Sequence, residues 1–451
     1  MAEATFDWQC QPEAEHWLYL LLDEFKSKNA WIVQLELELL QKTSTRLFDW
    51  IDHFTLDLSP SVEQELKKNG FEQESVMSTY RLFSHPQAQL PSLLVREGAT
   101  KHPLGISIKV ESIADFLMVH RLDKCIEGSP FSPYRRCLVA QEGKTALLCV
   151  ERRGSRTLEP VYQPESVLDD YITAVERLKT RSRDSMDHTL ILIEEIVSLI
   201  GKDASAWALL EVERMYWQTR NRAAQVQKNR QDRVGMGWAN HDHHTFRSSR
   251  KNFNQLVRLF ETLGFQCRER FYAGEQAGWG AQIMENPTCG LILFLDVDLA
   301  PDEVEFDFAH HPLHERGTLG TTGLWCALHG DSILQAGMHH LEAQFAFDKL
   351  KEDLSTLNVE MMDSFSDFSC LKQAFTQAEM WPVDPARIES LLKRGQITHQ
   401  QADQFLMHGA LGSHLENLQR NEGYKGFNRD CVSLIIKKTE PRTSVNEKIP
   451  S

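Results

Sequence analysis

No stretch of this chain is both long and apolar. Its densest apolar runs, "LYLLL" and "ILFL", fall far short of the roughly 20 residues that a membrane-spanning helix needs. The first residues, MAEATFDWQCQPEAEHW, are acidic and lack the basic-then-apolar order of a secretory leader. None of the 9 cysteines stands in a CxxC pair, and their odd number and irregular spacing suit reduced thiols better than a disulfide framework. Positive charge is scarce. A formal net charge of −15 excludes general attraction to nucleic acid or to anionic membrane as the main business of the chain. These absences describe a soluble intracellular protein, expected in the cytoplasm, with neither nucleic acid nor membrane as partner. They leave the oligomeric state open, a homo-oligomer included. What is present is ordinary globular composition, 41 % hydrophobic and 25 % charged, over 451 residues, a length that calls for two or three domains.

Periodicity divides the chain. Residues 1 to about 85 read as helices, as in "EHWLYLLLDEF" and "NAWIVQLELELLQK". From about 90 to 160 the texture is β-rich, and "YRRCLVAQEGKTALLCVERRG" reads as a hairpin around Glu142-Gly143. Helical patterning returns from Glu165 to about Val234. It ends in a basic, aromatic-flanked stretch with Tyr216, Trp217, Arg220, Arg222, Lys228, Arg230 and Arg233, taken here as a solvated helix face whose aromatics point inward. Residues 1–235 thus form an N-terminal α+β domain of unassigned role.

Beyond Gly237 the order is strand ("ANHDHHTF"), helix ("SRKNFNQLVRLFETLG"), then strands "FQCRERFY", "GAQIMEN" and "GLILFLDVDL". An imperfect second copy starts near Gly337, with "GMHHLEAQF" as strand, "AFDKLKEDLSTLN" as helix and "VEMMDSF" as strand. A helical insertion and a last strand, "LGSHLENLQ", follow. The expected class is α+β, with tandem βαβββ modules over 236–440 forming a curved sheet around one cleft, and a polar tail at 441–451.

Strand alternation limits which side chains share that cleft. Residues i and i+2 face the same way, so His241, His243, Thr245 and Arg247 lie on one side and Asn240, Asp242, His244 and Phe246 on the other. His243 and His244 cannot both enter one site in a regular strand, nor can His339 and His340. His414, Glu416 and Leu418 share a face, and a carboxylate buried there needs a partner. Two imidazoles and one carboxylate from three strands make the 2-His-1-carboxylate face of non-haem Fe(II) sites.

Tandem modules with ligands on first and last strands resemble the vicinal-oxygen-chelate superfamily. More narrowly, "DHHTFR" (242–247), "GMHHLEA" (337–343) and "GSHLENLQR" (412–420) resemble the motifs of the 2-oxoadipate dioxygenase/decarboxylase, or hydroxyglutarate synthase, family, and "YKGFNRDCVSLI" (424–435) is similar to its C-terminal stretch. The likeness spans about residues 236–440. It implies His243, His340 and Glu416 as metal ligands and Arg247 as the cation that holds a substrate carboxylate. Arg247 lies about 13 Å along the strand from His243 at about 3.3 Å per residue, within reach of a side chain whose fork suits carboxylates. The chain departs from the family pattern at His339, where asparagine is usual, and at Gln344, where some members carry arginine.

The implied activity is that of an Fe(II)-dependent dioxygenase/decarboxylase acting with O2 on a small carboxylated substrate, a 2-oxo acid. Zn, Ni or Mn are the alternative metals. Two other readings stand beside it: a glyoxalase-like Zn or Ni isomerase or lyase, usually with four protein ligands, and a non-catalytic binding protein on the same scaffold. His241, His339 and His414 are expected to orient the ligands through hydrogen bonds. Asp296 and Asp298 read as strand-end residues capping a turn, His310, His311 and His314 as solvated, and "GEQAGWGAQ" (274–282) as a flexible loop near the cleft.

Overall fold

The computed structural model describes residues 8–77, 79–98, 101–275, 277–366, 368–427 and 439–442. Helices α1 (Pro12–Lys28), α2 (Ala30–Thr43) and α3 (Leu47–Trp50) come first. A β-α-β-β-β unit follows: β1 (Ile51–Asp57), α4 (Pro60–Lys68), β2 (Glu72–Val76), β3 (Tyr80–Ser84) and β4 (Ser92–Arg96). Next come β5 (Leu104–Lys109), α5 (Ile113–Val119), β6 (Tyr134–Glu142) and β7 (Thr145–Arg152). The seven strands form one mixed sheet in the order β2-β3-β4-β1-β5-β7-β6. The stretch 1–85 therefore holds three strands besides its helices. Ala14, Trp17, Leu18, Leu22 and Phe25 recur at three- and four-residue spacing on α1, and this stripe packs with α2 against one face of the sheet.

Four helices connect the halves: α6 (Glu165–Thr180), α7 (Met186–Ile200), α8 (Lys202–Thr219) and α9 (Arg222–Asp232). Their buried residues, Ile193, Leu209 and Trp217 among them, share one core with the second sheet. That sheet begins with β8 (His241–Ser248), α10 (Phe253–Thr262), β9 (Gln266–Tyr272), β10 (Trp279–Asn286) and β11 (Leu291–Asp298), the β-α-β-β-β order expected from the sequence. Helix α11 (Thr321–His329) precedes β12 (His340–Gln344), α12 (Phe347–Thr356), β13 (Leu371–Phe375) and β14 (Met380–Trp381). Helices α13 (Pro385–Lys393) and α14 (His399–His408) then lead to β15 (Ala410–Leu411) and β16 (His414–Arg420). "VEMMDSF" is not a strand: Met361 makes one isolated bridge to Thr376, and "LKQAF", as β13, takes the place beside β16. Strand β11 pairs on both sides, and seven of its eight residues are buried, which accounts for its unbroken apolar run.

The second sheet runs β13-β16-β12-β8-β11-β10-β9, and it repeats the first strand for strand. In both, the first strand of the unit is parallel to its last and antiparallel to the strand that opens the next unit. The registers agree residue by residue. His53 faces Ser92 and Ser107 as His243 faces Ile292 and Glu342. Even the irregularity recurs, since Asp52 and Asp242 are each skipped in the pairing with β5 and β12. The molecule is an α+β protein built of two topologically equivalent sheets.

Candidate metal centre

The centre is built on the bulge at Asp242. Because β12 pairs Glu342 with His243 and Ala343 with His241, one residue of β8 is extra, and such a bulge turns side chains away from simple alternation. Asp242 is buried and accepts hydrogen bonds from Arg420 at 3.1 and 3.0 Å, Gln89 at 2.7 Å and Gln344 at 3.0 Å. Burial alone would raise its pKa, but the Arg420 charge and the hydrogen bonds from His243 and Arg420 hold it well below the usual range. The His243 Nδ1 lies 3.0 Å from Asp242 Oδ2, which fixes the ring and leaves Nε2 facing Glu342 on the next strand.

His243, Glu342 and Glu416 stand directly opposite one another on β8, β12 and β16, and Phe375 of β13 ends the row. Gln373 donates to Oε1 of Glu342 at 3.1 Å and of Glu416 at 2.9 Å, so its amide ties the two carboxylates together. His340, two residues before Glu342 on the same face, places Nε2 2.9 Å from Glu416 Oε2 and Nδ1 2.7 Å from Nδ1 of His339. The ligand atoms of His340, Glu342 and Glu416 lie within 4.8 Å of one another, as do those of Asp242, His243 and Glu342. Burial, reinforced by the Glu416 charge, pushes the Glu342 carboxyl well up, and burial takes Glu416 to about 7. Burial and the neighbouring His243 and Arg247 charges push His340 well down. An imidazole held neutral at His340, beside carboxyls that burial keeps protonated, suits a divalent cation with nitrogen and oxygen ligands.

These residues line a buried cavity of about 80 Å³, together with Thr245, Arg247, Asp296 and the rings of Phe271, Trp279, Phe294, Phe365, Phe375 and Phe427. The Arg247 side chain is 3 % exposed, and its Nε and Nη1 have no hydrogen-bond partner. Its Nε approaches Asp296 at 3.6 Å, and the Trp325 ring lies 5.6 Å from the guanidinium carbon. Burial pushes Asp296 up to about 7 against the pull of Arg247.

The structure thus brings His243, His340, Glu416 and Arg247 to one cavity. It sends His241 elsewhere: beyond the bulge its ring lies 5.2 Å from His244 and 6.0 Å from Trp207, with Nδ1 on the Trp238 carbonyl. His339 contacts His340 directly, and the His414 ring stacks on His340 at 4.8 Å with its Nε2 unpartnered. Sequence reasoning missed Glu342, Gln373 and the Asp242–Arg420 pair. A signal for Glu342 was present, since His-Leu-Glu occurs at 340–342 and again at 414–416, and the two copies pair in register.

The remaining readings fare unevenly. Asp298 caps, but the cap is on α11, whose first turn donates from Gly320 at 2.7 Å and Gly323 at 3.0 Å, whereas Asp296 faces the cavity. His310, His311 and His314 are exposed, and Trp279 of the glycine-rich stretch lines the cavity wall. Trp217 is buried as expected. Arg220 is half-buried, since it donates to the Ala336 carbonyl at 2.7 Å and covers the Trp381 ring. Residues 428–435 of the C-terminal motif, and 443–451 of the tail, lie outside the described residues.

No family model and no curated protein sequence matches the chain. Solved structures of the vicinal-oxygen-chelate fold do. Methylmalonyl-CoA epimerase from Mycobacterium tuberculosis is 10 % identical, with 40 % of this chain and 88 % of that one aligned and a TM-score of 0.23. A variant of 4-hydroxymandelate synthase from Streptomyces coelicolor is 13 % identical over 87 % of this chain and 97 % of its own, with a TM-score of 0.24. A xylose isomerase-like TIM barrel/4-hydroxyphenylpyruvate dioxygenase fusion protein is 12 % identical over 94 % of this chain and 57 % of its own, with a TM-score of 0.25. Among the described residues, no helix is long and apolar enough to cross a membrane.

Proposed function

We propose that the chain is a metal-dependent enzyme, an Fe(II) dioxygenase/decarboxylase acting on a small 2-oxo acid. One observation carries the reading. The imidazoles of His243 and His340 converge with the carboxylates of Glu342 and Glu416 in a buried cavity that also holds a guanidinium with unused donors. In this reading His243, His340 and Glu416 hold the metal, and Glu342 stands beside them.

Iron, when bound, supplies Lewis acidity and a template for the 2-oxo acid and O2. The protein supplies the rest. Asp242 keeps the His243 Nδ1 proton and so keeps Nε2 available. Gln373 holds one oxygen of each carboxylate and leaves the other towards the imidazoles. Arg247 takes the substrate carboxylate, since a buried guanidinium with two unpartnered N–H groups gains most from an anionic acceptor. The aromatic walls exclude water, which strengthens each of these contacts.

The test is the metal content of protein purified without oxygen, for wild type and Glu416→Ala, followed by oxygen uptake with a panel of 2-oxo acids. Iron near one per chain that Glu416→Ala removes, with substrate-dependent oxygen uptake, supports the reading; uptake that no 2-oxo acid stimulates overturns it.

Glu342 favours a second reading. As a fourth protein donor it completes the ligand count of a glyoxalase-like Zn or Ni isomerase or lyase, which needs no oxygen. Zinc or nickel in the purified protein, lost in Glu342→Gln as well as Glu416→Ala, would decide for it.

A further inference from the structure

Away from the cavity, a second group of metal-ligating side chains comes from three separate elements. Glu261 lies in the last turn of α10, Cys267 near the start of β9, and His310 in the loop after β11. Their ligand atoms all lie within 4.8 Å of one another, and all three residues are exposed. His310 is held at both ring nitrogens, with Nε2 2.9 Å from Glu261 Oε1 and Nδ1 2.9 Å from Asp307 Oδ2. Histidine ligands are commonly held this way, with one nitrogen on a carboxylate that fixes ring and tautomer and the other turned to the metal. The Asp242–His243 pair in the cavity has the same form.

We propose that Glu261, Cys267 and His310 form a surface site for a thiophilic divalent cation such as Zn(II), with Asp307 as the residue that positions His310. Thiolate, imidazole and carboxylate are the three donor types zinc takes, and three protein ligands leave one position to water. Binding displaces the proton between His310 Nε2 and Glu261 and the thiol proton of Cys267, so two protons leave as one dication enters. The hydrogen bond that His310 donates to Glu261, then the one to Asp307, holds His310 above its ordinary pKa, so binding weakens as the solution is acidified. The site would tie edge strand β9 to α10 and to the loop, a connection that Arg270 already makes in part through Asp307 at 3.1 Å. Phe271 of β9 lines the cavity, so the ion would brace one cavity wall.

Cobalt distinguishes this site from the cavity, whose candidate ligands include no cysteine. The full chain, stripped of metal with a chelator, is titrated with Co(II) and followed by absorption. A thiolate-to-cobalt charge-transfer band is expected, absent in Cys267→Ser and retained in His243→Ala. Asp307→Ala should keep the band and weaken the affinity for Co(II) about 10- to 100-fold. All four side chains are at the surface, and unchanged circular dichroism checks that the variants fold. No thiolate band at saturating Co(II), or a band that survives Cys267→Ser, overturns the proposal.

Discussion

Arg247 and Asp296 share a buried corner of the cavity, and their separation of 3.6 Å leaves the pair half engaged. Burial keeps Asp296 protonated up to about pH 7. Below that pH Arg247 is left to an incoming carboxylate; above it, ionised Asp296 competes for the guanidinium. On the proposed function, KM for a 2-oxo acid should therefore rise as pH passes through about 7, and Asp296→Asn should flatten the rise, as steady-state kinetics across pH would show. Stability carries the same signature. From 3.8 to about 7 the folded state binds a proton that the unfolded chain has released, so this carboxyl's contribution is lost as pH rises through that window, and the loss disappears in Asp296→Asn. Asp242→Asn should lower metal affinity about 10- to 100-fold by removing the carboxylate that orients His243, with the metal recovered at higher concentration. Alternation placed His243 and Arg247 on one face of their strand, and the family resemblance chose His340 and Glu416 to join them. It failed at His241 because the bulge at Asp242 lies between that residue and the others, and nothing in "HDHH" marks a bulge.

At the scale of elements, legibility followed burial. Strands β8 to β11 alternate, or are apolar throughout, and were readable. All five residues of β2 are exposed, so it carries no apolar pattern at all. β1 buries polar residues, Asp52, His53 and Thr55, which breaks the apolar alternation a strand reading needs. Helix α11 shows the reverse problem. Its nine residues TTGLWCALH include three poor helix formers at the start, and the N-terminal N–H groups are satisfied by a carboxylate 22 residues upstream that no local motif announces. Asp298→Ala should cost about 1–2 kcal/mol, measured by denaturant unfolding, since it removes a cap from a buried helix end. Because Trp325 of α11 lies beside Arg247, the same variant should also raise KM for the acid while leaving metal content unchanged.

The two sheets say the most at the scale of the whole molecule. Each carries an aspartate in a bulge, a histidine after it, and an arginine at the end of the strand two places along the sheet that grips the aspartate with two nitrogens: Asp52, His53 and Arg152 in one, Asp242, His243 and Arg420 in the other. The common signal, Asp-His-x-Thr at 52–55 and 242–245, is too short to reveal a duplication by itself. The sheets part at the remaining ligand positions. By register, Gly105, Ser107 and Leu148 stand where the second sheet has His340, Glu342 and Glu416. A side chain at Gly105 would run into the carbonyl of Ala146, so that position cannot regain a ligand without moving the backbone. The first sheet thus keeps the device that orients a histidine and lacks the groups that would join it at a metal. His243→Ala and His53→Ala therefore probe the same local geometry with opposite expected results. His243→Ala should empty the cavity site and remove that site's share of the thermal stabilisation that added metal gives the wild type, worth about 2.7 kcal/mol at a free concentration 100-fold above its Kd. His53→Ala should lower the melting temperature of the metal-free chain, since it removes a buried partner of Asp52, and leave both metal content and the metal-induced shift intact. Loss of metal in His53→Ala would mean that the first sheet also contributes to binding, against the register that separates the two.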